Sequence, residues 1–223
     1  MTRPSLAFER FQGSRGDEWL MRIGRPDAPA ILIVPPLFEE MNRTRALIAA
    51  VMRGLARRGH CGWLVDLGGT GESERDLGEM RWEDWRHDVT LAAAYVAEKA
   101  RKPLIASLRG GGLVDDGAKA RGWWRFAPVD GTALARDLVR SGLAGGVDYA
   151  GYAPSAGFKA ALEAAKPAAV APLRTLRLET DRGAADARIE GPALWRRSEP
   201  GNSAALAEAI ATDISIWSRA CAV

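Results

Sequence analysis

Short, continuously apolar runs alternate along the chain with longer segments of helical periodicity. Residues 30–34 and 61–66 form two such runs, and a third begins at Pro103 and ends before a cluster of glycines. Runs of this kind are typical of parallel strands that are buried on both faces of a sheet. Between them, a stretch of about 16 residues ending near Gly59, and another over 82–100, have the apolar spacing of helices. This repetition predicts right-handed crossovers and a largely parallel sheet.

The rest of the chain continues this pattern and adds a hairpin at one edge. In chain order, we expect a hairpin over 5–23, strands over 123–128, 173–179 and 187–190, and a closing helix from Asn202-Ser203 to about Ala220. Residues 132–170 are rich in alanine and glycine, include a helical stretch over 134–143, and predict a reduced cap or excursion. The sequence therefore predicts one α/β domain over residues 1–223, with a mostly parallel twisted sheet and helices on both faces.

The amino-acid composition limits which binding partners and which cellular compartment are expected. The chain has 223 residues, of which 47% are hydrophobic, enough for one core of ordinary size. The formal net charge is only +3 and there is no basic run, which argues against a nucleic-acid partner. No apolar stretch is long enough to span a membrane. Because no secretory segment is recognisable at the N-terminus, Cys61 and Cys221 are expected to be free thiols in a cytoplasmic protein.

Neither the histidines nor the glycine-rich loops indicate a metal or a cofactor. His60 and His87 are the only histidines, and neither has the spacing of a metal ligand. The loop over 66–73 is rich in glycine but lacks the Lys-Ser/Thr pair of a phosphate-binding P-loop. The tryptophans are most simply core residues, and an aromatic pocket under the cap is the alternative. We therefore expect no metal and no cofactor, and as ligand a small acyl or anionic molecule.

The most informative stretch is the end of the third apolar run. Ser107, Arg109 and Gly111 stand where a nucleophile elbow has its first small residue, its nucleophile and its second small residue. Small residues are needed there because the tight corner packs backbone against backbone. The guanidinium of arginine cannot be deprotonated in proteins and is not a nucleophile. The sequence thus predicts a hydrolase-like corner that lacks its reacting atom.

Several motifs resemble those of the exosortase A system-associated hydrolases, a bacterial branch of the α/β-hydrolases found near exopolysaccharide and protein-sorting genes. The motifs are Pro35-Pro36-Leu37-Phe38-Glu39-Glu40-Met41-Asn42, Asp66-x-x-Gly69-x-Gly71-x-Ser73, Ser107-Leu108-Arg109-x-Gly111, Asp130-Gly131, and Gly191-Pro192-x-x-Trp195 followed by Glu199. The closer match is to the type whose elbow carries arginine. The resemblance extends from about residue 30 to the C-terminus and implies the α/β-hydrolase fold.

The resemblance also implies where a ligand would bind. Leu37 occupies the position of the oxyanion loop and Gly110 follows the elbow residue, so their backbone N–H groups are candidates for an oxyanion hole. The residues implied to form the binding site are Leu37, Phe38, Asn42, Arg109, Gly110 and Asp130.

A complete catalytic triad cannot be assembled from the sequence. Ser107 lies two residues before the position of the nucleophile, and a serine needs a base within hydrogen-bonding reach. No histidine follows His87, although Glu179 and Asp181 come after a predicted strand as candidate acids. An acid without a histidine completes no triad. The leading interpretation is a degenerate hydrolase-family protein with a binding or accessory role in exopolysaccharide or exosortase-linked systems.

Two other interpretations remain open at this point. In the first, the chain is an unusual hydrolase of an ester, a thioester or an amide, with Glu39, Glu40 or Glu199 as general base for water. In the second, it is a scaffold whose relevant surface is a homo-oligomer interface. Measuring the turnover of acyl substrates distinguishes the unusual hydrolase from the degenerate hydrolase.

Arg109 itself requires an anionic partner. It is expected at the corner, just before a helix predicted to begin at Gly110, where free N–H groups disfavour a cation. A buried guanidinium without a partner costs several kcal/mol. We expect an ion pair with Glu40, with Glu39 as the second choice and an anionic ligand as the alternative, because both glutamates closely follow the oxyanion-loop residue Leu37.

Overall fold

The computed structural model describes residues 5–141 and 149–222. The strands are β1 (Leu6–Gly13), β2 (Gly16–Ile23), β3 (Ala30–Val34), β4 (Cys61–Val65), β5 (Leu104–Leu108), β6 (Gly122–Phe126), β7 (Leu173–Leu178) and β8 (Ala187–Ile189). The α-helices are α1 (Glu39–Arg57), α2 (Trp82–Lys99), α3 (Gly131–Ser141), α4 (Ala156–Ala164) and α5 (Ala204–Ala220). Short 3₁₀ helices cover Leu77–Glu79, Arg109–Leu113 and Leu194–Arg196.

The eight strands form one sheet in the order β1-β2-β4-β3-β5-β6-β7-β8. The β1–β2 hairpin is antiparallel, β2 pairs antiparallel with β4, and all the other neighbours are parallel. Every residue of β3, β4 and β5 is buried, as expected for central strands that are covered on both faces. The predicted hairpin and the predicted mostly parallel sheet are both confirmed.

Two apolar layers cover the faces of the sheet. On one face, α1 packs against α5 and both contribute to a cluster that includes Trp124. On the other face, α2 packs with α4 and the hairpin around Trp63 and Trp85. Both predicted free thiols are free in the structure. None of the described helices combines the length and the apolar character needed to span a bilayer.

The main departure from the predicted fold follows the corner at Arg109. The predicted helix beginning at Gly110 is wrong: the chain forms only a five-residue 3₁₀ helix and then runs directly to β6. Three consecutive glycines explain this, because glycine loses the most conformational freedom in a helix. The chain therefore presents no N-terminus of an α-helix at Arg109.

Other boundaries differ by a few residues. Helix α1 begins at Glu39, which puts both candidate glutamates in its first turn. Strand β6 ends at Phe126, two residues early, because Ala127 adopts a left-handed conformation with φ 47°. The predicted helix over 134–143 corresponds to α3, which begins at Gly131. The last two residues of the predicted helix, 142 and 143, lie outside the described residues.

Candidate active site

Arg109 lies at the sharp corner between β5 and the 3₁₀ helix, at the carboxyl edge of the sheet. Its φ of 52° is in the left-handed region that non-glycine residues rarely adopt, the kind of strain found at functional corners. A Cβ on Gly111 would lie 2.5 Å from the Pro35 carbonyl oxygen and 2.6 Å from that of Val34. The corner therefore packs backbone against backbone, which is why the second small residue of the motif is glycine.

Replacing Gly111 with alanine is expected to lower the free energy of unfolding by about 1–3 kcal/mol, because the new methyl group meets backbone atoms that cannot move aside. Gly157 in α4 is the matched control, since a Cβ there would meet nothing within 4 Å. Gly157→Ala should be neutral or stabilising by roughly 0.5–1 kcal/mol. Urea unfolding of both variants checks the prediction, and equal stability of the two would contradict this packing.

The guanidinium of Arg109 is bound to Glu40. Its Nη2 lies 2.9 Å from Glu40 Oε1, and its Nε donates to both carboxylate oxygens at 3.2 and 3.3 Å. The two side chains are 6% and 4% exposed, so the ion pair is buried. Burial raises the pKa of the Glu40 carboxyl, and the guanidinium opposes that rise by favouring the charged form. The expected pair with Glu40 is confirmed.

Further groups complete the surroundings of Arg109. Its Nη1 donates to the Ala127 carbonyl oxygen at 3.4 Å, and its Nη2 lies 3.5 Å from Asp137 Oδ2 on α3. The guanidinium carbon sits 4.8 Å from the centre of the Trp195 ring, within reach of a cation–π interaction. Four groups therefore hold the Arg109 side chain, and the position of the nucleophile is filled by a paired cation.

Glu39, the second choice for this pair, belongs to a different network. It accepts hydrogen bonds from Asn42 Nδ2 at 2.9 Å and from Arg43 Nε at 3.4 Å. Asn42 Nδ2 also lies 3.0 Å from the Tyr152 hydroxyl. The side chains of two adjacent glutamates thus separate, because successive helical positions point about 100° apart.

Ser107 takes part in a buried network below the corner. Its hydroxyl donates to Asp115 Oδ2 at 2.7 Å. Arg125 donates to both oxygens of the same carboxylate, at 3.0 and 2.6 Å. Burial raises the pKa of Asp115, and the hydrogen bonds and charge of Arg125 oppose that rise. Ser107 has a carboxylate partner and no histidine, so it does not have the geometry of an activated nucleophile.

The histidines lie away from the corner. His60 follows α1 and is buried, with Nε2 2.9 Å from the Ser215 hydroxyl on α5, and burial lowers its pKa. His87 is exposed on α2. Asp181, a candidate acid, is paired with Arg177 at 2.6 Å, and Glu179 is exposed. Within the described residues, no group of three or more metal-binding side chains is present.

Aromatic side chains fill the space beside the oxyanion loop. Phe38, with φ 55°, packs its ring against Trp85, Tyr149, Tyr152 and Phe158, with ring centres 5.1 to 6.0 Å apart. The cavity that remains there is only about 20 Å³. Rings from α4 and from the segment before it therefore nearly fill this space.

The remaining predicted site residues are divided between the interior and the surface. Leu37 and Gly110 are both buried and lie together, since a Cβ on Gly110 would be 3.0 Å from Leu37 Cγ. Their role in an oxyanion hole stays a prediction. Asp130, just before α3, and Glu199, after the last 3₁₀ helix, are both exposed.

Open space is found on the other side of Arg109, in two adjoining cavities of about 580 and 400 Å³. Both are lined by Asp137, Arg140, Trp195 and Arg196, so we describe them together as the arginine groove. Eight arginines and three carboxylates line it: Arg43, Arg109, Arg136, Arg140, Arg177, Arg182, Arg196, Arg197, Glu40, Asp137 and Asp181. Sequence reasoning missed this groove because its arginines come from separate segments and form no run.

Known proteins resemble this chain in fold and, over part of its length, in sequence. No family model matches the chain. Bovine (Bos taurus) mitochondrial palmitoyl-protein thioesterase ABHD10 is 30% identical over 118 residues, which are 53% of this chain and 33% of the relative. The alignment thus spans about a third of the length of that enzyme.

Two solved structures extend the comparison to nearly the whole chain. Esterase Est22 has a TM-score of 0.63 at 12% identity and covers 98% of this chain and 82% of its own. The bottromycin epimerase BotH, solved with bottromycin A2, has a TM-score of 0.60 at 13% identity. The match covers 96% of this chain and 99% of the epimerase chain. The chain therefore has the α/β-hydrolase fold, a fold that an esterase and an epimerase share.

Proposed function

We propose that this protein is a degenerate α/β-hydrolase that binds a ligand at its former active site and does not hydrolyse it by serine chemistry. One observation carries the proposal: the nucleophile position holds Arg109, whose guanidinium is paired with the buried Glu40 carboxylate. Arginine offers no nucleophilic lone pair at any working pH. The neighbouring Ser107 has Asp115 as its partner, and no histidine lies at the corner among the described residues.

Hydrolysis with a carboxylate base is the competing function, and the contacts disfavour it. A general base must reach the proton that it removes, directly or through one water. Both oxygens of Glu40 accept from Arg109, and each oxygen of Glu39 accepts from a neighbour on α1. Glu199 is exposed on a surface loop. None of the three is an unpaired carboxylate in a closed site, where its pKa would be tuned for catalysis.

Turnover of acyl esters and of a palmitoyl thioester tests the proposal. We expect wild-type protein to give no more than weak activity, and Ser107→Ala to leave that activity within about a few-fold, because losing a true nucleophile costs several orders of magnitude. Glu40→Gln, at a temperature where it stays folded, should behave in the same way. A large loss in the Ser107 variant would indicate serine catalysis, and a large loss confined to the Glu40 variant would indicate a carboxylate base.

We further propose that this binding role is an accessory one in bacterial exopolysaccharide or exosortase-linked systems. The support is the resemblance carried by the oxyanion-loop, glycine-loop and elbow motifs. Deleting the gene in its native host should lower exopolysaccharide output or disturb protein sorting, and the wild-type gene should restore both. An unaltered deletion strain would contradict this assignment without affecting the binding proposal.

A further inference from the structure

The arginine groove contains more positive charge than the described carboxylates in its lining neutralise, with eight arginines against three carboxylates. Arg43, Arg109 and Arg177 have carboxylate partners. The guanidinium groups of five others have no hydrogen bond or ion pair with any residue that the structure describes: Arg136, Arg140, Arg182, Arg196 and Arg197. The whole chain has a formal net charge of only +3, so this excess is a local feature.

The unpaired arginines come from three elements that meet at one place. Arg136 and Arg140 are one helical turn apart on α3, Arg182 follows β7, and Arg196 and Arg197 belong to the last 3₁₀ helix and its end. This place is the carboxyl edge of the parallel strands, where ligands of open α/β sheets bind. The larger of the two groove cavities has a volume of about 580 Å³, which is within the usual range for small-molecule sites.

The chemistry of the lining selects the class of ligand. Arginine presents a planar fork of N–H donors that matches the oxygens of phosphate or carboxylate groups. An acyl chain would find little apolar surface, because most of the groove is charged and the aromatic side of the corner is filled. Five unpaired guanidinium groups carry more positive charge than a monocarboxylate neutralises. Each phosphate group carries up to about two negative charges on neighbouring oxygens.

We propose that the arginine groove binds a phosphorylated small molecule carrying two or more negative charges. This rests on the proposed binding function, and it specifies the ligand. Arg140 on α3 and Arg196 in the last 3₁₀ helix line both cavities and contact the phosphate oxygens. The Arg109–Glu40 pair forms the floor and stays intact, since its charges are already balanced.

Calorimetric titration of the full chain with inorganic pyrophosphate tests the inference. The wild type should bind pyrophosphate. The double variant Arg140→Gln/Arg196→Gln should bind it about tenfold more weakly or worse, because each substitution removes a charge-assisted hydrogen bond. Arg53→Gln/Arg101→Gln is the matched control, with the same loss of charge at exposed arginines outside the groove. It should change affinity by less than about twofold, since screening weakens distant charges.

Co-sedimentation with vesicles of anionic phospholipid, against phosphatidylcholine vesicles, identifies the source of the phosphate. Binding that depends on Arg140 and Arg196 supports the inference in either experiment. Binding of pyrophosphate indicates a soluble ligand as the source, and binding to the anionic vesicles indicates a lipid headgroup. No binding to either probe overturns it, as does an equal loss in the control variant. Neither failure touches the proposed lack of serine hydrolysis, which the turnover assay tests separately.

Discussion

Replacing Glu40 with glutamine is expected to lower the free energy of unfolding by about 3–5 kcal/mol. The side chains of Glu40 and Arg109 are only 4% and 6% exposed, so the variant leaves a guanidinium in the interior without its counter-charge. Asp137 does not compensate, because it lies 3.5 Å away and is partly exposed. Urea unfolding followed by far-UV circular dichroism measures the loss.

Glu199→Gln is the control for this experiment, because Glu199 is exposed on a surface loop. Surface substitutions of this kind usually change stability by no more than about 0.5 kcal/mol. If Glu40→Gln were as stable as Glu199→Gln, the ion pair at the corner would have no structural role.

Replacing Asp115 with asparagine is expected to cost a similar amount, about 3–5 kcal/mol, because it leaves Arg125 without its charged partner. Asp115 is fully buried, and both of its oxygens accept hydrogen bonds from Arg125. The same carboxylate accepts from Ser107, so the network joins β5, β6 and the short connection between them. It stabilises a crossover that has no α-helix.

Thermal and urea unfolding of Asp115→Asn check this prediction, with Asp27→Asn as its control. Asp27 forms an exposed ion pair with Arg25 at 2.7 Å. Exposed pairs contribute about 0–1 kcal/mol, so the control should be nearly as stable as the wild type. Equal effects at the two positions would mean that the network below the corner is not needed for the fold.

The sequence predicts the sheet well because the central strands are almost entirely apolar. β3 and β4 have no polar side chain to present to solvent and β5 has only Ser107, so burial on both faces is the arrangement they allow. The corner is also predictable, since small residues flank Arg109 and a buried arginine needs a carboxylate. Both glutamates closely follow Leu37, so the sequence indicates a partner from this pair without deciding which of the two faces Arg109.

Features that depend on distant segments could not be predicted in the same way. Asp115 and Arg125 are ten residues apart, and nothing in their spacing distinguishes a buried pair from two solvated charges. The filling of the aromatic pocket depends on Phe158 of α4, which meets Phe38 across the corner. The arginine groove is lined by residues of α1, the corner, α3, β7 and the last 3₁₀ helix, so it exists only after the chain has folded.

The most direct test of the account is the stability of the double variant Arg109→Met/Glu40→Met, measured beside both single variants. We expect each single variant to lose about 3–5 kcal/mol, and the double variant to unfold within about 1–2 kcal/mol of the wild type, because removing both charges strands neither. That result would establish that the corner of this hydrolase fold is closed by a buried ion pair. Additive losses in the double variant would contradict it.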